Sequence, residues 1–208
     1  MLLPRRFSRA HLHGTDVALI GGMRHSMRKP RTLALVLALL LLPILSHAQS
    51  VLAAAKAGSA EEVKMAIARG SSPCDLDEQG ASALLIAAAC NPDPGVIRVL
   101  LAAGARLDER DQYDMTPLMR AAASNTNPEV LSALLEAGAN IEDQDQFGLT
   151  PLIYASGTNN RPEIVKLLIT AGADVKASDK FGMTAFDYLR QNASLRATAA
   201  YFYQRNAR

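Results

Sequence analysis

Four glycines, Gly70, Gly104, Gly138 and Gly172, stand 34 residues apart, and Asp77, Asp111, Asp145 and Asp179 keep the same interval. Pro94, Pro128 and Pro162 obey it too, as do Asn91, Asn125 and Asn159. A register shared by several residue types means that one supersecondary unit is repeated. A unit this short cannot bury its own apolar face and must stack on its neighbours, so the chain is a solenoid rather than a single closed core.

Within a unit, Thr116-Pro117-Leu118 and Thr150-Pro151-Leu152, with Thr184-Ala185-Phe186 as a variant, place a capping hydroxyl before a residue suited to the first helical position. The paired alanines that follow give this first helix a short, narrow buried face. A second helix opens at Pro128-Glu129 or Pro162-Glu163, where Glu complements the positive helix end. It is expected to bury Val130, Leu131, Leu134 and Leu135. Gly138 and Gly172 then supply the positive φ wanted just past the last turn. Composition agrees: 49% of residues are hydrophobic, only 5% are aromatic and none is Trp, as suits thin helices packed closely.

Phe147-Gly148-Leu149-Thr150-Pro151-Leu152, Ala155 and the run Leu167-Leu168-Ile169-Thr170-Ala171-Gly172-Ala173-Asp174-Val175 resemble an ankyrin repeat, and the resemblance covers residues 50–208. It implies an all-α ankyrin-repeat solenoid of helix-turn-helix units with β-hairpin fingers, about four and a half repeats long. The units are 50–79, 80–112, 113–146, 147–180 and a cap, 181–208. Three departures carry expectations of their own. The period exceeds the usual ankyrin length of about 33 by one residue, and Asn125 and Asn159 stand between the helices where the family has Gly, which implies a left-handed turn that Asn tolerates. The family's His after Thr-Pro-Leu is replaced by Leu85, Met119 and Ile153, which implies that its polar link between repeats is lost and that apolar packing takes over. The first unit, Val51 to Asp77, lacks a leading hairpin, and the last lacks the Gly-Ala-Asp ending; both fit terminal caps. Leu195 to Arg208, with Tyr201-Phe202-Tyr203 among basic residues, is read as a cap helix.

Ahead of the repeats, Arg28, Lys29 and Arg31 precede an uncharged run from Leu33 to Leu45, followed by Ser46-His47-Ala48 and Gln49. This is the layout of a signal peptide over 27–48, cleaved between Ala48 and Gln49. The run includes Pro43 and falls short of the roughly 18 to 20 apolar residues that span a bilayer, so an uncleaved anchor is the lesser alternative. No Cys follows closely to accept a lipid. Residues 1–26 read as an upstream extension, with Met23 or Met27 as the expected start. The expected location is the periplasm or the exterior, without stable membrane insertion after cleavage.

Seven of the 22 basic residues but one of the 20 acidic ones precede position 49, so residues 49–208 carry 15 basic and 19 acidic side chains, a net charge of −4. Such a body lacks the cationic field that phosphate backbones and anionic lipids require, which disfavours nucleic acid as a partner. All four His residues, His11, His13, His25 and His47, precede the cleavage site. No phosphate loop, paired-Cys zinc spacing, HExxH helix or Gly-x-Ser-x-Gly elbow occurs. No catalytic residue, cofactor or metal ligand is therefore expected. Asp108, Glu109, Asp111 and Asp114 with Glu142, Asp143 and Asp145 read as a solvated acidic edge rather than a calcium site. Cys74 and Cys90 fall at opposite ends of their units, too far apart for a disulfide. Asn192-Ala193-Ser194 matches a glycosylation acceptor only by coincidence.

The resemblance implies that hairpin tips and the outward side of the first helices line one concave surface on which another protein binds. The tips are Gln112, Tyr113 and Met115; Gln146, Phe147 and Leu149; and Lys180, Phe181 and Met183. Arg120, Ser124, Tyr154 and Thr158 flank them. The three aromatics could form a contact stripe, or each could pack on the adjacent hairpin. The expected function is an exported, monomeric protein-binding or scaffold module. A neutraliser of a toxin or envelope enzyme, and a secreted effector, would use the same surface; an enzyme with an unrecognised site is the rival from another class.

Overall fold

The computed structural model describes residues 50–195. The expected signal peptide over 27–48, the expected extension over 1–26 and the part of the expected cap helix beyond Leu195 lie outside the described residues. Nine helices occur among those described: α1 (Val51–Ala57), α2 (Ala60–Ala68), α3 (Ala83–Cys90), α4 (Pro94–Ala102), α5 (Pro117–Ser124), α6 (Pro128–Glu136), α7 (Pro151–Gly157), α8 (Pro162–Thr170) and α9 (Ala185–Gln191). They form two stacked layers. First helices α1, α3, α5, α7 and α9 pack in chain order, second helices α2, α4, α6 and α8 do the same, and the two helices of each pair pack on each other. None of the described helices is long and apolar enough to cross a membrane.

Local chemistry sets each boundary. Thr116 and Thr150 accept a hydrogen bond from the amide three residues on, and Pro117 and Pro151 occupy the first turn. Ser82 caps α3 in the same way. Asp93 and Asn127 cap α4 and α6 through their side chains, whereas Arg161 before α8 makes no side-chain cap. At the other end of α8, Gly172 has φ 101°. Its amide donates to Ile169 O at 3.2 Å and that of Ala173 to Leu168 O at 3.0 Å, the paired bonds that satisfy orphan carbonyls.

The core between the layers is Ala, Leu, Val and Ile. In α6, Val130, Leu131, Ala133 and Leu134 are buried, while Leu135 is only partly covered. Ala133 thus takes the place expected of Leu135, because the stripe facing two neighbouring helices is wider than one spacing of three and four predicts. Leu85, Met119 and Ile153 are buried apolar residues, so packing does fill the place of the missing His.

The polar link between repeats is nevertheless present, carried by Asn. Asn125 has φ −69° and ψ 145°, extended rather than left-handed, and is 2% exposed. Its Nδ2 donates to Ala88 O at 2.8 Å and Asn91 O at 2.9 Å in the preceding repeat, and its Oδ1 accepts from Asn127 N at 2.9 Å. Asn91 reaches Ala55 O and Gly58 O, and Asn159 reaches Ala122 O and Asn125 O. Asn192 ends the series on Ser156 O, Gly157 O and Asn159 O, so the Asn of the glycosylation-like triplet serves the stack. Ser156 stands where Ala88 and Ala122 occur in earlier repeats; its hydroxyl is buried without a partner among the described residues.

Removing one ladder amide strands two buried carbonyls and one amide, so Asn125→Ala should lower the unfolding free energy by about 3 kcal/mol in denaturant titration. Arg161→Asn, which supplies the missing cap, should raise it by about 1 kcal/mol in the same assay.

Candidate binding surface

Each finger is closed by one Asp. Asp111 Oδ1 accepts from Tyr113 N at 2.8 Å and Met115 N at 3.0 Å, while Asp111 N donates to Met115 O at 3.1 Å. Asp145 and Asp179 repeat the pattern with Phe147 and Leu149, and with Phe181 and Met183. The third residue after each Asp has positive φ: Gly80, Asp114, Gly148 and Gly182. Among the described residues the fingers make only isolated bridges, Leu76 with Ser82 and Ser178 with Thr184, not strand ladders. They are tight turns rather than β-hairpins, because the Asp side chain takes the amides that a ladder would otherwise pair.

The second oxygen of the same Asp is held by the residue nine positions on. Arg120 Nε donates to Asp111 Oδ2 at 2.6 Å, and Nη2 also contacts it. Tyr154 Oη donates to Asp145 Oδ2 at 2.7 Å and Tyr188 Oη to Asp179 Oδ2 at 2.6 Å. Burial and the neighbouring Asp145 push the Tyr154 hydroxyl well above its ordinary value. The Asp179 hydrogen bond, helped by burial, raises Tyr188 to about 12. Both tyrosines therefore remain donors at neutral pH. Ser124 Oγ lies 3.1 Å from Ala89 O, and Thr158 Oγ1 lies 3.1 Å from Ala123 O, in each case reaching the preceding repeat.

The candidate residues thus divide. Met115 is 7% exposed and belongs to the packing, not to the surface. Arg120, Tyr154, Ser124 and Thr158 line the outward side of the first helices but are engaged in holding it together. Leu149 and Met183 are half-buried beside their turns. Gln112, Gln146 and Lys180 are exposed; Lys180 Nζ also donates to Gln146 O at 2.7 Å. Tyr113, Phe147 and Phe181 are 49%, 47% and 77% exposed. Each ring leaves a large part of its surface open.

The acidic residues are more than a solvated edge. Asp111 and Asp145 shape turns, Arg110 sits between Asp114 and Asp143, and Arg106 pairs with Asp108. Glu142 accepts from Asp174 N at 2.7 Å, and Ser82 Oγ donates to Glu109. Cys74 and Cys90 are both free and exposed. No group of three or more His, Cys, Asp or Glu among the described residues is placed to share a metal ion.

Stacked helix pairs with Asp-closed fingers projecting from one side define a class of repeat protein. The family model described as ankyrin repeats in three copies matches residues 85–179 and 118–195, together more than half of the chain. The chain belongs to the ankyrin-repeat family, whose repeats are a protein-protein interaction module. No curated protein matches the chain.

Two carboxyls predict the response to acid. Burial, against the Ser82 hydrogen bond, raises Glu109 above the usual carboxylate value, so its protonation favours the fold as pH falls through that raised value. Burial also opposes the charged form of Asp179, but hydrogen bonds from Tyr188, Met183 N and Phe181 N outweigh it and hold the carboxyl low. Its contribution is complete above the unfolded value of about 4 and is lost as pH falls through the folded one. Thermal melts should therefore show a small gain on mild acidification, followed by a loss below about pH 4. Glu109→Gln should remove the gain and keep the loss.

Proposed function

We propose that residues 49–208, exported behind a signal peptide cleaved between Ala48 and Gln49, capture a partner protein along the finger tips and the concave side of the first helices. The observation that carries this reading is the aromatic row. Tyr113, Phe147 and Phe181 recur at 34-residue intervals and keep about half or more of their surface exposed. Their turns are closed by Asp111, Asp145 and Asp179 through the backbone amides, so the ring is not what shapes the finger. An aromatic with no closing role, held rigidly at a tip, is suited to anchor an interface, because it buries much area at small entropic cost. The module works as a monomer with no cofactor, and inhibition of a toxin or envelope enzyme, or action on a host protein, would draw on the same surface.

Replacing Tyr113, Phe147 and Phe181 by Ser separates contact from packing. Capture of the partner from an envelope fraction should weaken about tenfold or more for each aromatic, the scale of a hot-spot contact of about 2 kcal/mol, with the melting temperature unchanged. A lowered melting temperature with capture retained would overturn the reading. Arg161→Asn is the control: it changes only the cap of α8, shifts stability by about 1 kcal/mol and leaves capture as it was.

A further inference from the structure

The finger of the first described repeat departs from the other three at one atom. Asp77 Oδ1 accepts from Gln79 N at 2.9 Å and Ala81 N at 2.8 Å, as its counterparts do. In those counterparts Oδ2 takes a donor nine residues on, from Arg120, Tyr154 or Tyr188. Nine residues beyond Asp77 stands Ile86, which has no donor, and among the described residues nothing else hydrogen-bonds to Asp77 Oδ2. The carboxylate is fixed by the same turn, so its free oxygen keeps the same place on the concave side.

Asp77 lines a cavity. A recess of about 390 Å³ is lined by Asp77, Ile86, Tyr113, Gln112, Lys56 and Arg120, the Arg120 guanidinium being paired with Asp111. Its walls combine a half-buried carboxylate, the half-exposed ring of Tyr113 and the aliphatic surface of Ile86. The next repeat holds a template for what fits such a place: the Arg120 guanidinium, engaged through Nε and Nη2 on Asp111 Oδ2.

We propose that this recess seats an arginine side chain of the partner protein, its guanidinium on Asp77 Oδ2 and its plane against Tyr113. A planar guanidinium meets both demands at once, a charge-assisted hydrogen bond to carboxylate and stacking on an aromatic face, whereas an ammonium meets them less well. The net charge of −4 on residues 49–208 favours the approach of a basic segment. Lys56, an exposed lining residue without an acidic partner among the described residues, opposes the incoming charge and selects against loosely held cations. The proposal rests on the reading of the concave face as a partner surface and names the chemistry that one end of it recognises.

The test is a titration of the purified protein with Nα-acetyl-arginine amide, followed by NMR on the amides of Gln79, Ala81 and Tyr113. Nα-acetyl-lysine amide at matched ionic strength is the control. Saturable shifts are expected with the arginine probe and at least fivefold weaker binding with the lysine probe. Asp77→Asn keeps the turn-closing oxygen and should abolish saturation. Ile86→Arg places a guanidinium on Asp77 from within, as Arg120 does on Asp111, and should also abolish it while the protein stays folded. Lys56→Ala should tighten binding. Shifts that never saturate in the unmodified protein, or that survive both Asp77→Asn and Ile86→Arg, would overturn the proposal. Preference for free arginine over the capped residue would also overturn it, because it would mark a metabolite site. The probe is a small molecule, so failure here leaves the aromatic row standing, and failure of capture by the row leaves this result readable.

Discussion

Between successive repeats a side-chain amide is buried with two backbone carbonyls of the neighbour, and neither group has another way to be satisfied. Asn125 makes this plain: with 2% exposure it must donate both hydrogens, and Ala88 O and Asn91 O are the acceptors that meet them. Those carbonyls lie at the end of the preceding first helix, where intrahelical donors have run out. The amide therefore closes one repeat while setting the register of the next. A repeat displaced along the stack would leave buried donors and acceptors unpaired, which costs more than the hydrogen bonds themselves contribute. Apolar packing supplies cohesion among Ala, Leu, Val and Ile, but it tolerates sliding, and the Asn series does not.

At the opposite end of each first helix the Asp series performs the corresponding task for the fingers. Each carboxylate is shared between a turn and a helix, one oxygen taking two amides and the other a donor nine residues on. Finger shape and finger direction are thereby fixed without help from the tip side chain. Tyr113, Phe147 and Phe181 can consequently differ in identity and exposure while their backbones superpose in pattern. Gly157 lies close under the last of the tyrosine donors: a Cβ there would meet the Tyr188 ring at 3.1 Å.

Much of this was legible in the 34-residue register, because caps, prolines and terminal glycines act through neighbours in sequence. Thr116, Pro117, Pro128 and Gly172 sit where local chemistry alone places them. The role of Asn125 was not legible. The same residue suits a left-handed turn or a buried amide, and only the carbonyls brought up by the preceding repeat decide between them. Met115 was misplaced for a related reason: spacing puts it at a tip, but the turn swings it under the finger to 7% exposure. Asp77 could have been singled out from sequence, since Ile86 breaks the series continued by Arg120, Tyr154 and Tyr188. The signal was a missing donor, and it acquires meaning only once the carboxylate and the side chain nine residues later are known to touch.

A stack of near-identical units is in principle indifferent to which end a ligand approaches, and its direction has to come from residues that break the register. Here the breaks set the two ends apart. The first described finger carries the free Asp77 oxygen and the recess beneath it, the second and third carry half-exposed rings, and the fourth carries Phe181 at 77% exposure. The open carboxylate oxygen at one end and the most exposed ring at the other make the two ends of this edge different. A chain lying in the reverse sense would set its basic group against Phe181 and leave Asp77 desolvated and unpaired, a penalty larger than any single rim contact recovers. Regular backbone chemistry builds the platform, and the departures from regularity give it a direction.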